Sequence, residues 1–249
     1  MQLLQIASEN DYADYLKEHP NEFEHFFINF TSFFRDISIW EYIAKEILPR
    51  IIAGKPESEP LKIWSAGCAS GEETYTLSII LAEAIGVEQF RSRVRIYSSD
   101  VDEDALKEAR QGSYVSNEVV GIPDGLLEKY FERVGDRYVF RQDLRRSIIF
   151  CRHNVIEDAP MSKINLLTCR NVLMYFNTEA QMRALVRFYF GLKDSGFLLL
   201  GNTETIPTAL SNLFTPINLH HHIFMKLPRV NLNPLLLIKA LSRQHREGR

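Results

Sequence analysis

Between Leu61 and Arg110 the chain alternates apolar runs of two periods, and that alternation restricts the fold more than any other feature. KIWSA reads as a buried strand, Glu72 to Ile85 as a helix, VRIYSSD as a second strand and Asp102 to Arg110 as a second helix. Strand–helix–strand order of this kind builds a mostly parallel α/β sheet with helices on both faces. The rhythm changes over residues 112–150. There IPDGLLEKYF reads as a short helix opened by Pro123 and Asp124, and YVF and SIIFCRHN read as strands of antiparallel character. A small antiparallel excursion from the main sheet is expected. The series then resumes with INLLTC as a buried strand, Glu179 to Leu192 as a helix, and KDSG as a turn with Gly196 near the helix end. FLLLG and LHHHIFMKL follow as the last two strands.

Ahead of the alternation, residues 1–36 carry helix-like spacing and a further helix runs from about Ile39 to Ile52. The breaker cluster AGKPESEP, Ala53 to Pro60, reads as a linker. The expected organisation is a short N-terminal helical segment (1–58), a main domain (59–228) and a C-terminal tail (229–249). The 112–150 excursion forms a small β-containing subdomain within the main domain.

Composition narrows the function classes. A chain of 249 residues with 45% hydrophobic content can bury a real core. Its net charge of -3 gives no global pull toward nucleic acid or an anionic membrane. No apolar run approaches the ~20 residues of a membrane span. Cys68, Cys151 and Cys169 lack metal-type spacing and read as small core residues with reduced thiols, as in a cytoplasmic protein. His220, His221 and His222 are expected on a strand, where neighbours point to opposite faces, so no metal site is assigned to them.

The chemistry concentrates where the first strand meets its helix, LKIWSAGCASGEETYTL. Ligands of open α/β sheets bind outside the carboxyl ends of strands. The glycine pattern is GxxxG (Gly67, Gly71), which is neither a dinucleotide fingerprint nor a P-loop. Glycine there serves a turn with positive φ, or close approach of backbone to a ligand. Glu72 and Glu73 would repel a polyanion and suit a cationic or zwitterionic guest, although carboxylates also favour a helix N-terminus on their own account. Asp100 closes the second strand, where a carboxylate can accept two hydrogen bonds from ribose hydroxyls; a helix cap is the alternative, and Asp102 could supply that cap. Acids at both places favour an adenosyl group carrying positive charge and no phosphate. S-adenosylmethionine has that chemistry.

Five segments then make a specific resemblance: INFTSFFRD (Ile28 to Asp36), IWSAGCASGEETYTL, YSSDVDEDALKEARQGSY, FCRHNV and LLTCRNVLMYFNTEAQ. In this order they resemble the successive motifs of the CheR-type chemotaxis receptor methyltransferases, over about residues 10 to 227. The resemblance implies a class I methyltransferase, Rossmann-like fold that binds S-adenosylmethionine and releases S-adenosylhomocysteine. The implied reaction is methyl transfer to glutamate side chains of a methyl-accepting chemoreceptor or related signalling protein.

Residue by residue, the resemblance implies that Asn29, Thr31 and Arg35 close over the cofactor, with Arg35 on the methionyl carboxylate or the substrate channel. Ala66 and Gly67 would floor the methionyl group. Glu73, with Glu72 as the second candidate, would take the ammonium, and Asp100 the ribose. Asn154 and Val155 would flank the adenine. Arg170 and Asn171 would stand beside the reacting methyl with Tyr175 one turn on, making Arg35, Arg170 and Tyr175 the catalytic set.

The sequence departs from the family pattern in three places. The first 30 residues hold six acidic groups and one lysine where the family carries basic helices. Asn165 stands where an Asp is usual, and Asn202 and Thr203 of GNTE replace HSE-like residues. The alternatives to be weighed are a cofactor-binding regulatory module and a methyltransferase for a different carboxylate acceptor.

Overall fold

A computed structural model describes residues 31–228, Gly54 and Glu57 excepted. Asn29, the helical spacing assigned to the first 30 residues and the tail at 229–249 lie outside the described residues. The first described helices are α1 (Ile37–Tyr42) and α2 (Leu48–Ala53), joined through a π-helical stretch, Ile43–Ile47. The main sheet has seven strands in the order β6-β2-β1-β7-β8-β10-β9. They are β1 (Leu61–Ala66), β2 (Val94–Asp100), β6 (Ile148–Arg152), β7 (Ile164–Cys169), β8 (Leu192–Leu200), β9 (Phe214–Asn218) and β10 (Ile223–Lys226). β1 pairs in parallel with β2 and β7, β2 with β6, and β7 with β8. Only β10 runs antiparallel to its neighbours β8 and β9.

Successive side chains of β1 divide between two cores. Leu61 and Ile63 pack with residues of α1, α2 and α3 (Glu72–Ile85), whereas Trp64 and Ala66 pack with those of α8 (Thr178–Gly191). Because neighbouring residues of a strand face opposite ways, helices cover both faces of the sheet. Every residue of β7 is buried, as a central strand covered on both sides requires. Asn165 is part of that burial. Its Oδ1 accepts the backbone N–H of Lys62 at 3.0 Å, a role that needs an acceptor and no charge.

The remaining helices are α4 (Val87–Arg93), α5 (Glu103–Gln111), α6 (Leu126–Tyr130) and α7 (Gln142–Arg145). A second, three-stranded antiparallel sheet has the order β3-β5-β4, from β3 (Ser113–Val115), β4 (Phe131–Val134) and β5 (Arg137–Phe140). Its packing is aromatic: Phe33, Tyr114, Phe131 and Phe140 meet mostly edge to face.

Several expectations are corrected. The excursion ends before β6, because SIIFCRHN contributes an edge strand parallel to β2. That strand lies at the edge of the sheet, buried at Ile148 and partly or fully exposed beyond it. KDSG is no turn at a helix end but a bulge within β8. Ile164 pairs with Leu192 and Leu166 with Phe197, so Lys193–Gly196 loops out, with Ser195 at φ 59°. LHHHIFMKL is a strand only from Ile223; the three histidines occupy the turn before it. β9 went unforeseen because Pro216 interrupts it, which an edge strand tolerates. Finally, the compact unit begins at Thr31 and not at residue 59. Ile39, Trp40, Ile43, Ile47 and Leu48 are buried in the same core as the sheet, so the helical run cannot be separated from it.

Candidate functional site

The turn after β1 is closed by the end of β2. Gly67 and Cys68 both donate their N–H to the Ser99 carbonyl, at 2.7 and 3.0 Å. Ala69, at φ 45°, donates its N–H to Asp100 Oδ2 at 2.8 Å. Asp100 Oδ1 accepts the N–H of Asp102 at 3.1 Å. Asp102 itself caps α5 through the N–H groups of Asp104 and Ala105. The cap alternative for Asp100 thus falls to Asp102. Burial pushes the Asp100 carboxyl up from the ordinary range, while the backbone N–H groups pull against that shift.

The glycines of this turn are explained by protein packing. Gly67 has φ 73°, and a Cβ there would lie 2.2 Å from Val172 Cγ2. Gly71 has φ 99°, and a Cβ would press on Ala109 and the Tyr114 hydroxyl. Each needs the left-handed conformation and has no room for a side chain. The ligand-approach explanation is not required at either.

Glu72 and Glu73 are consecutive in the first turn of α3, so their side chains diverge by about 100°. Glu73 Oε1 accepts the hydroxyls of Ser65 and Thr168, at 3.0 and 2.6 Å, and its Oε2 lies 3.6 Å from Arg170 Nη1. It therefore joins β1, β7 and the segment after β7. Glu72 is turned away, and both its carboxylate oxygens accept the Ser70 hydroxyl. Burial raises its pKa, with Glu118 and Glu108 adding repulsion.

Arg170 is buried, its side chain 3% exposed. It donates to Asp36 Oδ2 at 2.5 Å and to the Arg35 carbonyl at 3.4 Å, and its guanidinium lies 5.2 Å from the Trp40 ring centroid. Trp40 Nε1–H donates to the same Arg35 carbonyl at 2.8 Å. Residues 35–36 are thereby held against the end of β7. Arg170 Nε is buried without a hydrogen-bond partner among the described residues. Thr31 and the Arg35 side chain are half-buried.

His153 follows β6 and donates its N–H to the Asp100 carbonyl at 2.9 Å, so Asn154 and Val155 begin beside the end of β2. Asn154 Oδ1 accepts the N–H of Ile156 at 2.9 Å, and Val155 is buried. Asn171 has φ 58°. Tyr175 ends a 3-10 turn, Leu173–Tyr175, and is 47% exposed.

The structure therefore gathers Ala66, Gly67, Asp100, Asn154 and Val155 on one side, and Arg170, Arg35 and Asn171 on the other, with Glu73 bonded to both β1 and β7 between them. Four residues of this network escaped the sequence reading. Ser65 and Thr168 were visible as hydroxyls inside otherwise apolar strands, and Asp36 as the last residue of TSFFRD. Glu204 closes GNTE directly after β8 and accepts the N–H groups of Asn171 and Val172. Burial pushes the thiols of Cys68 and Cys169 well above the ordinary range, which suits core residues and not nucleophiles.

Comparison with known proteins decides which family uses this arrangement. Residues 29–223 match the family model described as CheR methyltransferase, SAM binding domain. The chain belongs to the CheR methyltransferase family. It is 32% identical over 183 residues to a chemotaxis protein methyltransferase of Borreliella burgdorferi, covering 72% of this chain and 65% of that protein. It is 34% identical over 192 residues to chemotaxis protein methyltransferase 2 of Vibrio cholerae, covering 75% and 65%. An uncharacterized 104.1 kDa protein of Rhodobacter capsulatus is 33% identical over 197 residues, which are 79% of this chain and 21% of that protein. The chain thus spans just under two thirds of the first two relatives and about a fifth of the third.

The cofactor of this CheR domain is S-adenosylmethionine, and the residues present fit it. Glu73 and Asp100 are carboxylates at the strand ends, suited to an ammonium and to ribose hydroxyls. The unpartnered Arg170 Nε offers a donor to an anionic group. Among the described residues, no helix is long and apolar enough to cross a membrane.

Proposed function

We propose that this chain transfers a methyl group from S-adenosylmethionine to glutamate side chains of a methyl-accepting chemoreceptor or related signalling protein, as a cytoplasmic protein-glutamate O-methyltransferase. The observation that carries the reading is the Glu73–Arg170–Asp36 cluster at the strand ends of a CheR domain, because it sets a carboxylate for the cofactor beside a guanidinium for an acid. The family's relatives named chemotaxis protein methyltransferase support the acceptor class.

In this reading Glu73 holds the ammonium, Asp100 the ribose, and Asn154 and Val155 flank the adenine. Ala66 and Gly67 floor the methionyl portion, Asn29, Thr31 and Arg35 close over it, and Asn171 stands beside the reacting methyl where the acceptor arrives. When bound, the cofactor supplies an electrophilic methyl group on a sulfonium. The chain's own task is to deliver a carboxylate to it. A glutamate with pKa about 4.3 is already ionised at neutral pH, so no general base is needed. Near-attack placement at ~3 to 3.5 Å is what counts. Arg35, Arg170 and Tyr175 orient the acceptor. Their hold must stay moderate, because the acceptor loses negative charge as the bond forms and a strong ion pair would favour the ground state. The ties of Arg170 to Asp36 and Glu73 moderate its pull in that sense.

Radiolabelled methyl transfer to purified receptor, followed by release of volatile label in base, tests the proposal. Base-labile label on receptor glutamates is the expected result. Tight cofactor binding by calorimetry with no label on receptor would overturn it. Arg35→Ala with full turnover and unchanged cofactor affinity would remove Arg35 from the catalytic set.

A further inference from the structure

We propose that Glu204 is a positioning residue for methyl transfer: its carboxylate pins the backbone that carries Asn171 and Tyr175 on the acceptor side of the site. This rests on the methyltransferase reading above.

Glu204 is 3% exposed and stands beyond the end of β8, yet it serves the segment after β7. Oε2 accepts the N–H groups of Gly201 at 2.6 Å and Asn171 at 3.1 Å. Oε1 accepts those of Val172 at 2.7 Å and Met174 at 3.3 Å. Two N–H groups per oxygen use up the acceptor directions of an ionised carboxylate. The convergence of four amide dipoles favours the negative charge for the same reason that such nests bind anions. Here the anion belongs to the chain.

Three neighbours make the anchor specific. The Glu204 carbonyl is itself held by His222 Nδ1 at 2.7 Å. A Cβ at Gly201 would fall 2.8 Å from both the Asn171 nitrogen and Glu204 Oε2, so a side chain there would wedge the contact open. Val172, between two of the pinned residues, packs into the space left by Gly67 on the first turn. Asn171 sits at φ 58°, in the left-handed region that asparagine tolerates better than most non-glycine residues, and its N–H points to Glu204 from there. Arg170 has its own anchors in Asp36 and Glu73, and Asp100 has its own in Ala69 and Asp102. Loosening Glu204 therefore displaces the Asn171–Tyr175 segment and leaves Glu73 and Asp100 in place.

Glu204→Gln is the test, in the full chain. The amide keeps the volume but replaces one acceptor oxygen with a donor, so two of the four N–H groups lose their partner. Expected are a fall in kcat for receptor methylation of about tenfold to a hundredfold and a cofactor Kd within about twofold. Faster amide exchange is expected at Asn171, Val172 and Met174, with Leu167 and Leu198 still protected. Leu210→Ala, which opens the buried core near the same strand, serves as the control that loses stability while keeping kcat. Unchanged kcat in Glu204→Gln, or a loss that Leu210→Ala reproduces at equal loss of Tm, would overturn the proposal. Should Glu204→Gln fail to fold, Glu204→Asp, with the charge kept and the reach shortened, is measured against the same outcomes. If wild type methylates no receptor, the methyltransferase reading fails by itself. Unchanged exchange at residues 171–174 in the variant would then be what overturns Glu204 as anchor.

Discussion

The ends of β1 and β2 and the ends of β7 and β8 face one site, but they are built on opposite plans. On the β1–β2 side the glycine turn is held by the Ser99 carbonyl and by Asp100, so that an anchoring carboxylate is itself one of the candidate site groups, with Glu73 as the second carboxylate. On the β7–β8 side the turn is pinned from outside by Glu204, and the functional groups are a buried guanidinium and an exposed phenol. In the proposed reading the first side presents negative charge to a cationic cofactor. The second presents positive charge and a hydroxyl to an anionic acceptor. A site that joins an anion to a cation needs this separation, since carboxylates lining both sides would repel the acceptor.

The comparison breaks most readily at Glu73, a charged side chain that touches both sides. Glu73→Gln removes the charge proposed for the ammonium and leaves Arg170 with Asp36 as its remaining carboxylate partner among the described residues. Uncoupling a buried pair costs about 3 kcal/mol, so both calorimetric cofactor affinity and urea-unfolding stability should drop strongly. Retention of both would mean that Glu73 is an incidental acceptor of two hydroxyls.

Asp100→Asn comes next, with an expected loss of about 1.5–3 kcal/mol in cofactor binding and little change in receptor KM. Its pH dependence sharpens the point. Because burial raises the folded-state pKa of Asp100, the carboxyl takes up its proton above the ordinary range as pH falls. Cofactor affinity should therefore weaken on acidification starting above that range, and Asp100→Asn should abolish this part of the profile.

Tyr175→Phe tests the acceptor side alone. It should reduce kcat by about tenfold, in keeping with a positioning hydroxyl, and leave calorimetric cofactor affinity unchanged. Equal losses in both would move Tyr175 to the cofactor side.

Glu72→Gln carries the smallest effect on binding, a cofactor Kd within about twofold of wild type. Glu72 bonds to the Ser70 hydroxyl, away from Glu73. Stability provides the second readout. A carboxyl with raised folded-state pKa favours folding below its unfolded pKa, and that contribution is lost as pH rises through the folded value. At neutral pH the amide should therefore be slightly more stable than wild type, with the advantage gone in acid. A large loss of cofactor affinity in this variant would return Glu72 to the site.

How much of this was legible in the sequence follows the same division. KIWSA, the helix from Glu72 to Ile85, VRIYSSD and INLLTC declare themselves because burial on both faces of a parallel sheet imposes long apolar runs, and helices impose a different period. β6 misled because it follows the small antiparallel sheet in sequence and occupies an edge of the main one, and β9 because a proline concealed it. The turn after β1 was readable from Gly67, Glu73 and Asp100, which lie at strand–helix junctions where local sequence sets local geometry.

The sequence by itself determined the order and type of the principal elements, the family, and the acidic character of the cofactor side. Only the tertiary structure decided between Glu72 and Glu73, since one residue of helical rotation turns one carboxylate to Thr168 and the other to Ser70. It alone joined Arg170 to Asp36 and Glu204 to Asn171, contacts that span 134 and 33 residues. No local pattern specifies such pairs, because they form only when packing of the sheet brings separate strand ends together. The charge of the site was written in residues; which charges meet was settled by the fold.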